Sequence, residues 1–181
     1  WKASLRAHKL LVKELTEERN LNVFLIVDVS NSMLYGSREL LKAERAAQVA
    51  SNIAYVALRA GDAVSLTLIT DKVEEFLEPD IGIRQHSIIL NRLSDGKNWG
   101  GPFDLTKAMA QFMGVTKKRG LIILISDFLG LEENWKRYLE ISHSRFEMIG
   151  IMTRDPRDRR LPKNGGEFIL EDPYQDETII I

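Results

Sequence analysis

The sequence predicts an α/β fold with a doubly wound, mostly parallel sheet, helices on both faces and an antiparallel edge strand. Two continuous apolar runs, at 23–27 and 121–125, are followed by the acids Asp28 and Asp127. Runs this short and this apolar are typical of strands buried on both faces of a parallel sheet. Around these runs, helical periodicity alternates with further strand-like segments, which indicates βαβ units joined by right-handed crossovers.

After the first strand, the chain is expected to form a helix and then a hairpin. Ser37 is a candidate N-cap for a helix over 38–59, where apolar and small residues recur at helical spacing. Residues 62–70 alternate enough to form a strand. Residues 73–77 form the returning edge strand, which Pro79 is expected to end.

The rest of the chain extends the same pattern. Three further helices are expected, at 86–93, 105–115 and 132–144. Residues 146–152 predict another buried strand, and 168–170 and 178–181 predict two short ones. We divide the chain into an N-terminal extension over 1–21, the α/β domain over 22–153, and a C-terminal loop and short hairpin over 154–181 that packs on it.

Composition limits the possible functions. The chain has 181 residues, of which 44% are hydrophobic and 28% charged, and its net charge of -1 gives no reason to expect nucleic-acid binding or membrane contact. With no cysteine, disulfides and thiolate metal sites are excluded. No apolar run approaches the roughly 20 residues of a membrane helix. The absence of cysteine fits a reducing compartment, and we expect a cytoplasmic soluble domain. Because the chain begins at Trp1 rather than Met, we expect this domain to be part of a longer protein, for which a membrane anchor is an open alternative.

Asp28, Ser30 and Ser32 form the first candidate site, where the first strand ends. Ligands of open α/β sheets bind outside the carboxyl ends of the strands. If the strand before Asp127 lies next to the first strand, both acids converge on one crevice. Carboxylate and hydroxyl oxygens are donors that Mg²⁺ prefers. The alternative is a polar turn whose Asp and Ser side chains cap the next helix.

The segment 95–104 is the most loop-like part of the chain, with three glycines and a proline around Trp99. Loops held by a rigid scaffold often carry function, so we expect a shaped surface loop, with a flexible connector as the alternative. Asp104 also suits the N-terminus of the helix that follows.

Enzyme signatures are weak in this sequence. It contains no dinucleotide-binding glycine fingerprint, no P-loop and no nucleophile elbow, and its three histidines lie in or near helical stretches. The nearest enzyme alternative is a metal-dependent phosphotransferase or phosphatase with Asp28 as nucleophile. Such enzymes usually place a second Asp two residues later as general acid, whereas this chain has Ser30 there.

The segment Asp28-Val29-Ser30-Asn31-Ser32 resembles the metal-ion-dependent adhesion site, or MIDAS, of von Willebrand factor A domains. Across essentially the whole chain, an ordered set of motifs resembles the prokaryotic domain-of-unknown-function fifty-eight family, whose members often accompany MoxR-type AAA+ ATPases. Those motifs are Trp1–Ser4, Leu11–Glu14, Glu17–Arg19, Ser126–Phe128, Asp155–Arg157 and Leu170–Pro173. The resemblance implies a Rossmann-like von Willebrand factor A fold.

The resemblance also implies a set of metal ligands. A divalent cation, Mg²⁺ or Mn²⁺, is expected to be bound by Asp28, Ser30 and Ser32, with Asp127 assisting through water. The family places a Thr in a Gly-Gly-Thr-Asp segment, but this chain reads Gly-Gly-Pro-Phe-Asp over 100–104, so Phe103 replaces the Thr. Asp104 is a candidate compensating ligand, and weak metal binding is expected.

Recognition rather than catalysis follows from the resemblance. A cation held by few carboxylates keeps positive charge and an open position, which a carboxylate of a partner protein can fill. The implied partner is a MoxR-type AAA+ ATPase, and the candidate partner-binding residues are Asn31, Trp99 and Phe103. The chain is therefore expected to be an interaction module and not an enzyme.

Overall fold

A computed structural model describes residues 20–131, 135–160, 169–174 and 178–180. Its main sheet contains β1 (Asn22–Asp28), β2 (Ala63–Ile69), β3 (Val73–Asp80), β4 (Gly120–Ser126) and β5 (Phe146–Met152). The spatial order is β3-β2-β1-β4-β5. All neighbours pair in parallel except β2 and β3, which are antiparallel. The predicted fold class is confirmed, and so is the prediction that the strands before Asp28 and Asp127 are neighbours.

Four α-helices surround the sheet in the described residues: α1 (Lys42–Arg59), α2 (Ile83–Ser94), α3 (Leu105–Val115) and α4 (Trp135–His143). A separate two-stranded antiparallel hairpin is formed by β6 (Ile169–Glu171) and β7 (Thr178–Ile180). None of the helices in the described part of the chain has the length and apolar character needed to cross a membrane.

Alternate side chains of β1 build two separate cores. Val23, Leu25 and Val27 pack with α1 and α2 on one face of the sheet, while Phe24 and Ile26 pack with α3 on the other. The Phe24 ring meets Phe112 and Phe146 edge-on, each with ring centroids 5.5 Å apart. Because both faces of β1 are covered, the position of its carboxyl end, where the candidate site lies, is fixed by the two cores.

The first helix begins four residues later than predicted. Ser37 does not cap it, since the Ser37 hydroxyl instead donates to Asp155 at 2.5 Å. The helix begins at Lys42, and the Glu44 carboxylate accepts from the backbone N–H of Leu41 at 2.8 Å. The side chain of Glu44 thus satisfies one of the donors at this end of the helix.

Two strand predictions need correction. β3 does not end at Pro79 but continues to Asp80, because an edge strand tolerates a residue without an N–H donor. β5 was expected to be buried, yet Ile149 is 49% and Met152 52% exposed. The reason is its position as the outer strand of the sheet, which leaves much of its surface uncovered.

The proposed division of the chain stays a prediction. Most of the expected extension over 1–21, and the expected start of the helix at 132, lie outside the described residues. Of the C-terminal part, the described segments include Asp155 and Tyr174, both of which contact the α/β domain.

Candidate functional site

The candidate site lies where the sheet changes direction. From β1 the chain builds β2 and β3 outward on one side, then returns to place β4 on the other side of β1. The loops after β1 and β4 consequently diverge and leave a crevice at the carboxyl ends of the two strands. This is the position at which open α/β sheets bind ligands.

Asp28 is the last residue of β1 and is completely buried. One carboxylate oxygen accepts from the Ser30 N–H at 2.9 Å, and the other accepts from the Ser126 hydroxyl at 2.5 Å. Burial raises the pKa of Asp28 to about 6, although the hydrogen bonds from Ser126 and Ser30 act in the opposite direction. Within the described residues, the donors to this carboxylate are neutral.

Ser30 and Ser32 are both buried, and their hydroxyls converge on one atom. The Tyr174 hydroxyl donates to Ser32 Oγ at 2.7 Å and lies 3.1 Å from Ser30 Oγ. Burial raises the pKa of Tyr174, so its phenol is neutral near pH 7. The two serines therefore share a single point in the crevice.

Asn31 connects three segments at the rim of the crevice. Its backbone N–H donates to the Gly101 carbonyl at 2.9 Å, and its side-chain oxygen accepts from the Gly101 N–H at 2.6 Å. Its side-chain amide donates to the Pro173 carbonyl at 3.1 Å. Gly100 and Gly101 have φ of 99° and 122°, which side-chain-bearing residues rarely adopt. Asn31 thus uses its polar atoms within the chain.

Asp127 directly follows β4, the strand next to β1. Its electrostatic environment differs from that of Asp28 because a buried lysine contacts it. The ammonium of Lys42, the first residue of α1, lies 2.7 Å from one Asp127 oxygen and 3.4 Å from Asp158. The other Asp127 oxygen accepts from the Leu129 N–H at 3.0 Å. Both members of the Lys42–Asp127 pair are almost fully buried. Asp127 therefore already has a cationic partner.

The turn after β4 is conformationally unusual. Phe128 adopts a positive φ of 59°, which is uncommon for a residue other than glycine. Its N–H donates to the Ser126 hydroxyl at 2.9 Å, and that hydroxyl in turn donates to Asp28. Backbone strain of this kind persists where surrounding contacts hold it in place, and it clusters at functional sites.

The loop over 95–104 contributes less to the crevice than the sequence suggested. Asp104 caps α3 by accepting from the Lys107 N–H at 2.9 Å, and it pairs with the Lys107 ammonium at 2.8 Å. Burial alone would raise the pKa of Asp104, but these contacts with Lys107 outweigh it and hold the pKa below its ordinary value. Phe103 is only 8% exposed and lies in the core under α3. Trp99 is partly buried against the α1 side.

The residues at the crevice fit a hard divalent cation in donor type. Asp28 supplies a carboxylate, and Ser30 and Ser32 supply hydroxyl oxygens at one point. Asp104 and Asp127 are engaged by lysines, and no group of three or more His, Asp or Glu among the described residues is arranged to hold a metal. This donor set suits weak rather than tight binding.

Sequence reasoning missed two residues of the site. Lys42 carried a usable signal, because it shares a four-residue spacing with Ala46, Ala50 and Ala54 and so lies on the buried face of α1. A lysine at a helix N-terminus opposes the helix dipole, which also points to a nearby acid. Tyr174 carried no local signal, since its contacts are 142 and 144 residues away in the chain.

One protein family matches the whole chain. Residues 1–181 fit the family described as "Protein of unknown function DUF58". An uncharacterized protein, Rv1480, from Mycobacterium tuberculosis is 26% identical over 174 residues, covering 95% of this chain and 54% of that protein. A second uncharacterized protein, MAV169 from Mycobacterium avium, is 39% identical over 69 residues, covering 38% of this chain and 40% of that protein. The chain thus spans about half the length of the curated Rv1480 protein.

Two solved structures share the fold. BatB from Bacteroides thetaiotaomicron superimposes with a TM-score of 0.60 at 17% identity, covering 73% of this chain and 66% of that one. An aerotolerance-related membrane protein from Bacteroides fragilis gives 0.62 at 17% identity, covering 89% and 81%. Both likenesses concern the α/β architecture.

Proposed function

Because the chain belongs to the DUF58 family of proteins of unknown function, we propose for it an interaction role like that of von Willebrand factor A domains. In this proposal the crevice binds a divalent cation, Mg²⁺ or Mn²⁺, and the cation site recognises a carboxylate of a partner protein. The convergence of Ser30 and Ser32 on one point beside the buried Asp28 is the observation that carries the proposal.

Each residue has a defined role in this proposal. Ser30 and Ser32 supply neutral oxygens, and Asp28 supplies the one carboxylate of the site that has no cationic partner among the described residues. Lys42 neutralises Asp127, which limits the negative charge at the crevice. When bound, the cation supplies a positive charge that attracts an anionic oxygen.

The surroundings suit a protein partner. A groove of about 880 Å³ adjoins the site and is lined in part by Ser32, Lys42 and Arg157. Leu129 and Ile169 also line this groove and are 41% and 66% exposed. Protein interfaces combine an apolar central patch with complementary charged contacts, and these exposed apolar side chains beside the charged site fit that pattern. We propose that a MoxR-type AAA+ ATPase supplies the partner carboxylate.

The phosphatase alternative has less support from this geometry. Asp28, the required nucleophile, is fully buried and accepts hydrogen bonds at both oxygens. The general acid of such a reaction would stand at Ser30, whose hydroxyl is not acidic enough for that role.

The proposal is tested by titrating the chelated protein with Mg²⁺ and Mn²⁺ in a calorimeter. We expect weak binding of both ions, with Mn²⁺ bound more tightly. Asp28→Ala should weaken binding at least about 100-fold, since it removes a direct ligand. Asp95→Ala is the matched control because Asp95 lies on an exposed part of the loop and pairs with Lys97. Binding that Asp28→Ala leaves intact would contradict the proposal.

The same variants separate binding from catalysis. A MoxR-type AAA+ ATPase should be captured by the wild-type chain and by Asp95→Ala. Capture should be lost with Asp28→Ala or with a chelator. Hydrolysis of a generic phosphomonoester that disappears with Asp28→Asn would instead support the enzyme alternative.

A further inference from the structure

The segment Asp172–Tyr174 reaches from the C-terminal hairpin into the crevice. The Tyr174 hydroxyl donates to Ser32 Oγ at 2.7 Å. The same hydroxyl lies 3.1 Å from Ser30 Oγ, in a hydrogen bond for which either hydroxyl can be the donor. The Pro173 carbonyl accepts from Asn31 at 3.1 Å. Two successive residues of this segment therefore contact the loop that follows β1.

The Tyr174 ring is held in place by its own turn and by a glycine. The Tyr174 N–H donates to the Asp172 carboxylate at 2.8 Å, which fixes the turn that directs the ring inward. The ring lies against Gly130, where a Cβ atom would come within 3.0 Å of it. Tyr174 also packs on the edge of the core that contains Phe24. The position of the Tyr174 ring is therefore fixed by its own turn on one side and by Gly130 and the core on the other.

We propose that Tyr174 is an intramolecular cap on the candidate cation site, occupying the point that a cation must share with Ser30 and Ser32. This inference rests on the proposed function and concerns regulation of the same site. A bound cation needs an oxygen lone pair from each serine. In the capped state the phenol hydroxyl donates to Ser32 Oγ and lies within hydrogen-bond distance of Ser30 Oγ, so it occupies the point at which a cation would contact both serines.

Tyr174 is attached to the β6–β7 hairpin, which has few contacts of its own with the described part of the chain. The hairpin can therefore detach from the crevice without unfolding of the α/β domain. β6 and β7 have three residues each, and a two-stranded hairpin of this size is marginally stable alone. Ile169 and Ile180 are each 66% exposed, so this pair contributes little to a core. Short, exposed elements open at low free-energy cost. Release of the hairpin would free both serines together.

The first test compares Mn²⁺ binding by the full chain, its Tyr174→Phe variant and a control, Tyr55→Phe, whose ring lies against His86 on the α1–α2 side. Tyr174→Phe keeps the ring on Gly130 but removes both hydrogen bonds to the serines. We expect electron paramagnetic resonance of free Mn²⁺ to show about tenfold tighter binding for Tyr174→Phe. The control should match the wild type. Equal binding by Tyr174→Phe overturns the cap, and weaker binding makes Tyr174 a ligand instead.

The second test follows the hairpin directly by amide hydrogen exchange. Mn²⁺ should speed exchange at 169–174 in the wild type and leave it unchanged in Asp28→Ala. Mn²⁺ binding that leaves this exchange unaltered contradicts the cap but not the cation site. If neither the wild type nor Tyr174→Phe binds Mn²⁺, the proposed function itself is wrong and the cap has no cation to exclude.

Discussion

Asp28 and Asp127 lie at the carboxyl ends of two neighbouring apolar strands, β1 and β4, yet the surroundings of the two acids differ. Asp28 accepts hydrogen bonds from neutral groups, the Ser30 N–H and the Ser126 hydroxyl. Asp127 pairs with the buried ammonium of Lys42 at 2.7 Å. Both carboxylates are almost inaccessible to solvent. The charge of Asp127 is therefore balanced by a direct contact, whereas within the described part of the chain no cation contacts Asp28.

This difference assigns different roles to the two acids. A buried charge without a counter-ion raises the cost of ionisation, which agrees with the raised pKa of Asp28. Such a carboxylate gains most from an added cation. A buried pair such as Lys42–Asp127 gains little from one and instead holds α1 against the turn after β4.

The largest effect is expected from Lys42→Met. The substitution keeps much of the side-chain volume but leaves Asp127 buried without its cation, which typically costs about 3–5 kcal/mol. Urea denaturation near neutral pH measures this as a fall in the free energy of unfolding. Lys97→Met is the matched control, since Lys97 is 85% exposed in its pair with Asp95. The control should change stability by no more than about 0.5 kcal/mol.

An intermediate effect is expected from Asp155→Asn, which extends the comparison to an acid after β5. Burial alone would raise the pKa of Asp155, but hydrogen bonds from Ser37 and Arg157, together with the charge of Lys42, outweigh burial and hold the pKa below its ordinary value. Losing these charge-assisted bonds should cost about 2 kcal/mol at neutral pH.

The pH dependence of this effect has a definite sign. A carboxyl whose folded pKa is lowered stabilises the fold above its unfolded pKa, about 3.9, and that stabilisation is lost as the pH falls through the folded value. The stability gap between wild type and Asp155→Asn should therefore shrink in denaturant titrations repeated at progressively lower pH below about 4. A gap of constant size down to acid unfolding would show that the charge of Asp155 is not what matters.

The smallest effect is expected from Asp28→Asn in chelated protein. Among the described residues, removing this charge leaves no buried cation unpaired, and the Ser126 hydroxyl can rotate to accept from the new amide. The free energy of unfolding should change by about 1 kcal/mol or less. A loss as large as that of Lys42→Met would mean that Asp28 has the same structural role as Asp127, and the comparison would fail.

Most of the sheet could be predicted from the sequence because its signals are local. The apolar runs before Asp28 and Asp127 require burial on both faces, and that requirement places them in the middle of a parallel sheet. The exposure of Ile149 on β5 could not be predicted in this way. An apolar strand has the same sequence pattern whether or not a neighbour covers it.

The candidate site was predictable only in part. Asp28, Ser30 and Ser32 are neighbours in the chain, so their meeting at one strand end follows from local structure. The positions of Lys42 and Tyr174 depend on packing between distant segments, and no short-range pattern encodes the second of them. Phe103 is a further case in which packing overrides the local pattern. Its position in a loop suggested an exposed side chain, but the side chain is buried under α3.

The most direct test of the proposed cation site is a crystal of the full chain grown with Mn²⁺ and examined by anomalous scattering at the manganese edge. We expect one peak within about 2.5 Å of both Ser30 Oγ and Ser32 Oγ, beside Asp28, with the Tyr174 hydroxyl moved away. A peak held instead by Asp158 and Glu171 in the adjoining groove would contradict it. So would the absence of a peak at a Mn²⁺ concentration that saturates binding in solution.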